Sequence, residues 1–166
     1  MSRLTLAINE IRTARDYSRR LLGDLEPADW FRRPAEGVTH IAWQVGHLAM
    51  AQYRLALERV RGPRPEDEQL ISATFLAQFG KGSVPTASPA DYPSVEEILA
   101  AFDRVHRQVL EELPQVPDAE LDRPPEKPHS LFNTKLDSLF WCARHEMLHA
   151  GQIGLLRRLF GKAPQW

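Results

Sequence analysis

The sequence predicts an all-α protein, a four-helix bundle with long crossover loops. Three observations carry that expectation. Four segments repeat apolar residues at the helical period, no stretch alternates as a strand would, and two long proline-rich connections lie between the second, third and fourth of those segments. At 166 residues the chain has the length of one domain, taken as residues 1–166, because a single core usually occupies about 100 to 200 residues.

The first helix is expected from about Ser2 to Leu22, with Leu4, Ala7, Ile8, Ile11, Ala14, Ser18 and Leu21 on one stripe and Arg12, Asp16 and Arg19 opposite. The second is expected from an N-cap at Thr39 to Arg61, stopped by Gly62 and Pro63. The third opens on a capping box, Ser94-Val-Glu-Glu97, and ends at Pro114. The fourth begins near Thr134, runs to Phe160 before Gly161 and Pro164, and is apolar on most sides. The connection between the second and third helices is rich in proline and glycine and holds one short helix, expected around Glu68 to Gln78.

Composition excludes several classes of function. The 21 basic and 22 acidic residues nearly cancel, so no global field draws the chain to a polyanion or an anionic membrane, and nucleic acid is not an implied partner. The single cysteine, Cys142, excludes an internal disulfide framework and a cysteine-rich zinc module. The opening MSRLTLAINEIRTARDYSRR interrupts its apolar positions with charges, and no run approaches the roughly 20 apolar residues of a membrane span. A soluble cytoplasmic protein is the expectation.

The chemical signal is HEMLH, His145 to His149, which matches the H-E-x-x-H pattern of zinc peptidases. Residues four apart on a helix have Cβ atoms roughly 5 to 6 Å apart, so both imidazoles can reach one metal ion. A peptidase then needs a third ligand downstream. The segment AGQIGLLRRLFGKAPQW has neither histidine nor acid, so the peptidase reading lacks its context. Glu146 and His149 also form the E-x-x-H of di-iron bundles, which need a second such motif that this chain lacks. A third ligand must therefore come from upstream.

His47 is the best upstream candidate. It shares its helical stripe with His40, Gln44, Ala51, Arg54 and Glu58, at the border of an apolar face where a side chain can look into a cleft. His40 lies about 10 Å further along the helix, His106 reads as a hydrogen-bonded core residue and His129 as surface. Cys142 reads as a buried, inert thiol, although its angular position leaves a thiolate ligand open. Glu146 can orient or deprotonate a metal-bound water, or simply pair with a basic neighbour at the surface.

A helical bundle with one histidine on its second helix and H-x-x-x-H on its last resembles the DinB/YfiT-like superfamily of metalloenzymes. The resemblance covers nearly the whole chain and rests on THIAWQVGHLA, YPSVEEILAAFDRVH and HEMLHAGQIGLLRRLFG. It implies that His47, His145 and His149 bind one divalent metal, with zinc and nickel the first expectations and iron or manganese also acceptable to imidazoles. Characterised relatives are metal-dependent transferases and isomerases that use low-molecular-weight thiols. The expected activity is accordingly transfer of such a thiol to a small-molecule substrate, with Glu146 as a catalytic group, Gln152 and Trp43 lining the cofactor site, and a homodimer as the assembly. The alternatives are a metal-dependent hydrolase and a non-catalytic, stress-related metal-binding dimer.

Overall fold

Ser2 caps α1 (Arg3–Leu22), its hydroxyl accepting from the Thr5 amide at 3.0 Å. The structure, a computed structural model, describes residues 2–165. The whole expected apolar stripe of α1 is buried, and Arg15 is buried with it. The next helix, α2 (Ile41–Gln52), starts two residues after the expected cap. His40, not Thr39, caps it: the backbone of His40 is extended and its Nδ1 accepts from the Trp43 amide at 3.1 Å. Thr39 instead turns its hydroxyl to the His40 carbonyl.

α2 loosens into a π-helical stretch (Tyr53–Glu58) and closes with α3 (Arg59–Arg61), where Gly62 stops it at φ +81. Within that stretch the Ser138 hydroxyl donates to the Leu55 carbonyl at 2.7 Å, and the Arg59 guanidinium donates to the Arg54 carbonyl at 3.3 Å. Carbonyls displaced from the regular ladder thus gain outside donors. No periodicity in the sequence announces this irregularity.

The single short helix expected over 68–78 is two, α4 (Asp67–Leu70) and α5 (Ala73–Gln78). Ser72 divides them because its extended backbone and hydroxyl cap α5, accepting from the Phe75 amide. The capping box of α6 (Val95–Glu112) forms as expected between Ser94 and Glu97. A further short helix, α7 (Asp118–Leu121), interrupts the proline-rich connection to α8 (Lys135–Leu159), which Thr134 caps through the Asp137 amide. The chain is therefore mostly helical, with more helices than the four expected. Among the described residues there is no strand, only an isolated bridge between His129 and Phe132.

α1 packs along α8, and α2 packs along both α6 and α8. Arg157 near the end of α8 donates to the Leu21 carbonyl at the end of α1, while Arg3 at the start of α1 pairs with Asp118 and Asp122 at α7, whose neighbour Arg123 accepts from the first amide of α8; the two helices run parallel. Gln52 meets His106 and Arg61 meets Glu112, so α2 and α6 are parallel as well. Parallel neighbours require a connection at least as long as a helix. Eighteen residues of α6 rise about 27 Å, which about eight extended residues would span, and the surplus in residues 62–94 folds back as α4 and α5.

One ion pair joins three of the long helices. Arg15 of α1 is fully buried and meets both carboxylate oxygens of Glu146 on α8, at 2.7 and 3.2 Å. It also donates to the Phe102 carbonyl of α6 and lies 3.5 Å from that ring's centroid. Among the described residues no helix is long and apolar enough to cross a membrane.

Candidate metal centre

α2 and α8 run antiparallel, and His47 near the middle of α2 meets His145 and His149 near the middle of α8. One nitrogen from each of the three imidazoles lies within 4.8 Å of the others. His47 is buried and the other two are half-buried. The sequence brought these three together as candidates, and the fold brings them together in space.

Hydrogen bonds on the far side of two rings fix which nitrogen faces inward. His47 Nδ1 lies 2.8 Å from the Phe79 carbonyl, which can only accept, so Nδ1 carries the proton and Nε2 is a bare lone pair. His149 Nδ1 donates to Gln44 Oε1, and the Gln44 amide in turn donates to Gln152 Oε1 at 2.8 Å. His149 is thereby also left with a free Nε2. Such outer contacts orient metal-binding imidazoles and raise their basicity.

His47 Nε2 and His145 Nε2 face each other at 3.4 Å. Two ligand nitrogens about 2.05 Å from a tetrahedral ion stand about 3.3 Å apart, so this separation fits a shared ion. Burial disfavours charge on all three rings. It pushes His145 down to about 4 and His149 to about 3, with the neighbouring imidazoles adding to the effect, and it lowers His47, which also feels Arg54. The rings are neutral at physiological pH, the form that binds metal. A proton on His145 Nε2 makes this contact a hydrogen bond to His47 Nε2, and a cation bound there would take that proton's place.

Trp43 stacks on His47 with centroids 4.7 Å apart and planes 16° from parallel, and its Nε1 donates to Ser83 Oγ in the crossover. It forms a wall beside the imidazole. Trp141, one turn before His145, borders a groove of about 720 Å³ between α1 and α8. Gln152 is exposed and touches the site through Gln44.

Glu146 lies outside the imidazole cluster, since both its oxygens are taken by Arg15. The pair is buried, not at the surface, because Arg15 occupies the apolar stripe of α1 four residues after Ile11. Cys142 is buried, burial pushes its thiol well above the ordinary range, and it is not part of the group formed by the three imidazoles. His106 is a core residue 3.2 Å from Gln52, as expected, and His129 stacks on Phe132 and is not part of the group of three.

Two contributors were missed in the sequence. Gln44 was visible on the stripe of His47, but only the partner helix shows that it bridges His149 and Gln152. Phe79 acts through its carbonyl, and its approach requires a glycine: a Cβ at Gly46 would sit 2.4 Å from two ring carbons of Phe79. A glycine one residue before a candidate ligand was the available signal.

No curated protein matches the chain. A family model described as the DinB superfamily matches residues 10–153, from the middle of α1 to just beyond the second histidine of α8. The match takes in all three imidazoles and the crossover that holds His47, and with it the chain belongs to the DinB superfamily.

Proposed function

We propose that the protein binds one divalent metal ion, zinc or nickel, through His47, His145 and His149, and attaches a low-molecular-weight thiol to an electrophilic small molecule. The observation that supports this most is orientation: the Phe79 carbonyl and Gln44 turn His47 and His149 so that bare nitrogens converge. A divalent ion held by three neutral imidazoles keeps a position open and stabilises thiolate over thiol at neutral pH. The thiol proton leaves to solvent, sulfur bonds to the electrophilic carbon, and the leaving group departs with its electron pair.

In this reading the chain supplies position and exclusion of water. Trp43 walls one side of the site, Gln44 and Gln152 hold His149, and Glu146 anchors α8 to α1 instead of moving a proton. The four long helices constitute a four-helix bundle, residues 1–166 one domain, and the working form a cytoplasmic homodimer. Hydrolysis is the weaker alternative, because among the described residues no carboxylate joins the imidazoles to serve as general base.

The test is an assay of protein loaded with zinc or nickel against panels of small thiols and electrophiles such as aryl halides and epoxides. Thioether formation that disappears on chelation and in His149→Ala supports the reading. Full metal loading with no transfer across the panels would leave a non-catalytic metal protein.

A further inference from the structure

An imidazole that is to meet an ion must be fixed both in the direction of its nitrogens and in the plane of its ring. For His47 the Phe79 carbonyl sets the direction at 2.8 Å, but a single bond at Nδ1 leaves the ring free to tilt. Trp43 sets the plane, its indole stacked on the imidazole with centroids 4.7 Å apart and planes 16° from parallel. It stands four residues before His47 on α2, where side chains one turn apart are neighbours.

Trp43 is only half-buried, so packing grips part of its ring. Its polar tie is the bond from Nε1 to Ser83 Oγ at 2.9 Å. The Ser83 hydroxyl is itself aimed, because it donates its proton to the Gly80 carbonyl at 2.9 Å and so turns a lone pair to the indole. The Ser83 amide donates to the same carbonyl at 3.2 Å and closes a turn over residues 80–83. Gly82 takes the third position of that turn at φ +92, a value that favours glycine. The turn follows Phe79 directly, so residues 79–83 grip His47 at its edge through a carbonyl and on its face through an indole.

We infer that Ser83 is a positioning residue of the metal centre, acting through Trp43 to hold the plane of His47. The inference rests on the three-histidine reading above. Nε2 lies off the axis of the Nδ1 bond, so a tilt of the ring swings its lone pair away from His145 and His149. A ring free to tilt must be ordered when an ion binds, and that ordering weakens binding. With Ser83 holding the indole, the plane is set before the ion arrives.

Zinc affinity, read by chelator competition, tests the inference in Ser83→Ala, Ser83→Thr, Trp43→Phe and the double variant of Ser83→Ala with Trp43→Phe. Ser83→Ala should weaken binding about three- to tenfold, the worth of one hydrogen bond, and Ser83→Thr, which keeps the hydroxyl, should restore it. Phenylalanine has no N–H, so in the Trp43→Phe background loss of the hydroxyl should add nothing. Unchanged affinity in Ser83→Ala, or an equal loss in both backgrounds, would overturn the inference. The metal-free protein gives a second reading at neutral pH. In proton–carbon correlation spectra the His47 Cε1 proton, assigned by its absence in His47→Gln, should stand upfield under the indole ring current. In Ser83→Ala it should move towards the free-imidazole position, and no movement overturns the role of Ser83. If wild type binds no zinc, the three-histidine reading fails, while this shift still decides whether Ser83 holds the stack.

Discussion

Gly46→Ala tests how the crossover holds His47. The added methyl would stand 2.4 Å from two carbons of the Phe79 ring and 2.7 Å from a third, where carbon pairs rest at about 3.5 to 4.0 Å. The ring must retreat by about 1 Å. It is fully buried, so it cannot swing into solvent, and its backbone must move with it. The 2.8 Å bond from His47 Nδ1 to the Phe79 carbonyl then lengthens past the limit of a hydrogen bond, and the imidazole loses its fixed direction. Overpacking of this kind costs about 1–3 kcal/mol, and loss of an outer contact to a ligand lowers metal affinity about 10- to 100-fold. Urea unfolding of the metal-free protein measures the first and competition against a chelator the second. Phe79→Leu in the Gly46→Ala background makes room and should recover most of the affinity, a non-additive result. A Gly46→Ala protein that is destabilised yet binds metal like wild type would refute the link from glycine to carbonyl to imidazole.

Gln44→Leu should leave folding nearly intact but weaken metal binding about tenfold, read by chelator competition, because His149 loses the acceptor that sets its tautomer. Glu146→Gln strands the buried Arg15 charge and should cost about 3–5 kcal/mol in urea unfolding, while Arg15→Met with Glu146→Leu should recover most of it. His106 is pushed down to about 3 by burial and by Arg15, Arg19 and Arg12. Its unfolded value is near 6.5, so between about pH 6.5 and 3 the unfolded chain binds a proton that the folded chain refuses. Stability carried by His106 is full above that window and falls as pH drops through it, by up to about 1.4 kcal/mol per unit. His106→Gln should flatten the pH profile of unfolding by that amount, and an unchanged profile would contradict the assignment.

What was legible in the sequence was local. Ser94 and Thr134 cap their helices because a cap needs only a hydroxyl and an amide three residues on. The ligand spacing on α8 was legible for the same reason, and His47 followed because the tail after His149 offers no third ligand. The illegible features all require a partner from elsewhere in the chain. His40 displaces Thr39 as a cap through its ring nitrogen, packed edge-on against Tyr92. Arg15 lies on an apolar stripe and is tolerated only because Glu146 and Phe102 meet it. The π-helical stretch of α2 depends on Ser138 of α8, and the direction of His47 on a carbonyl 32 residues away.

The central claim is that His47, His145 and His149 share one divalent ion. Equilibrium dialysis against zinc and against nickel, followed by elemental analysis, measures it directly in wild type and in His47→Ala, His145→Ala and His149→Ala. One ion per chain in wild type, with occupancy lost in each variant while helical circular dichroism persists, is the predicted result. Full stoichiometry in the His47→Ala and His149→Ala proteins would contradict the account.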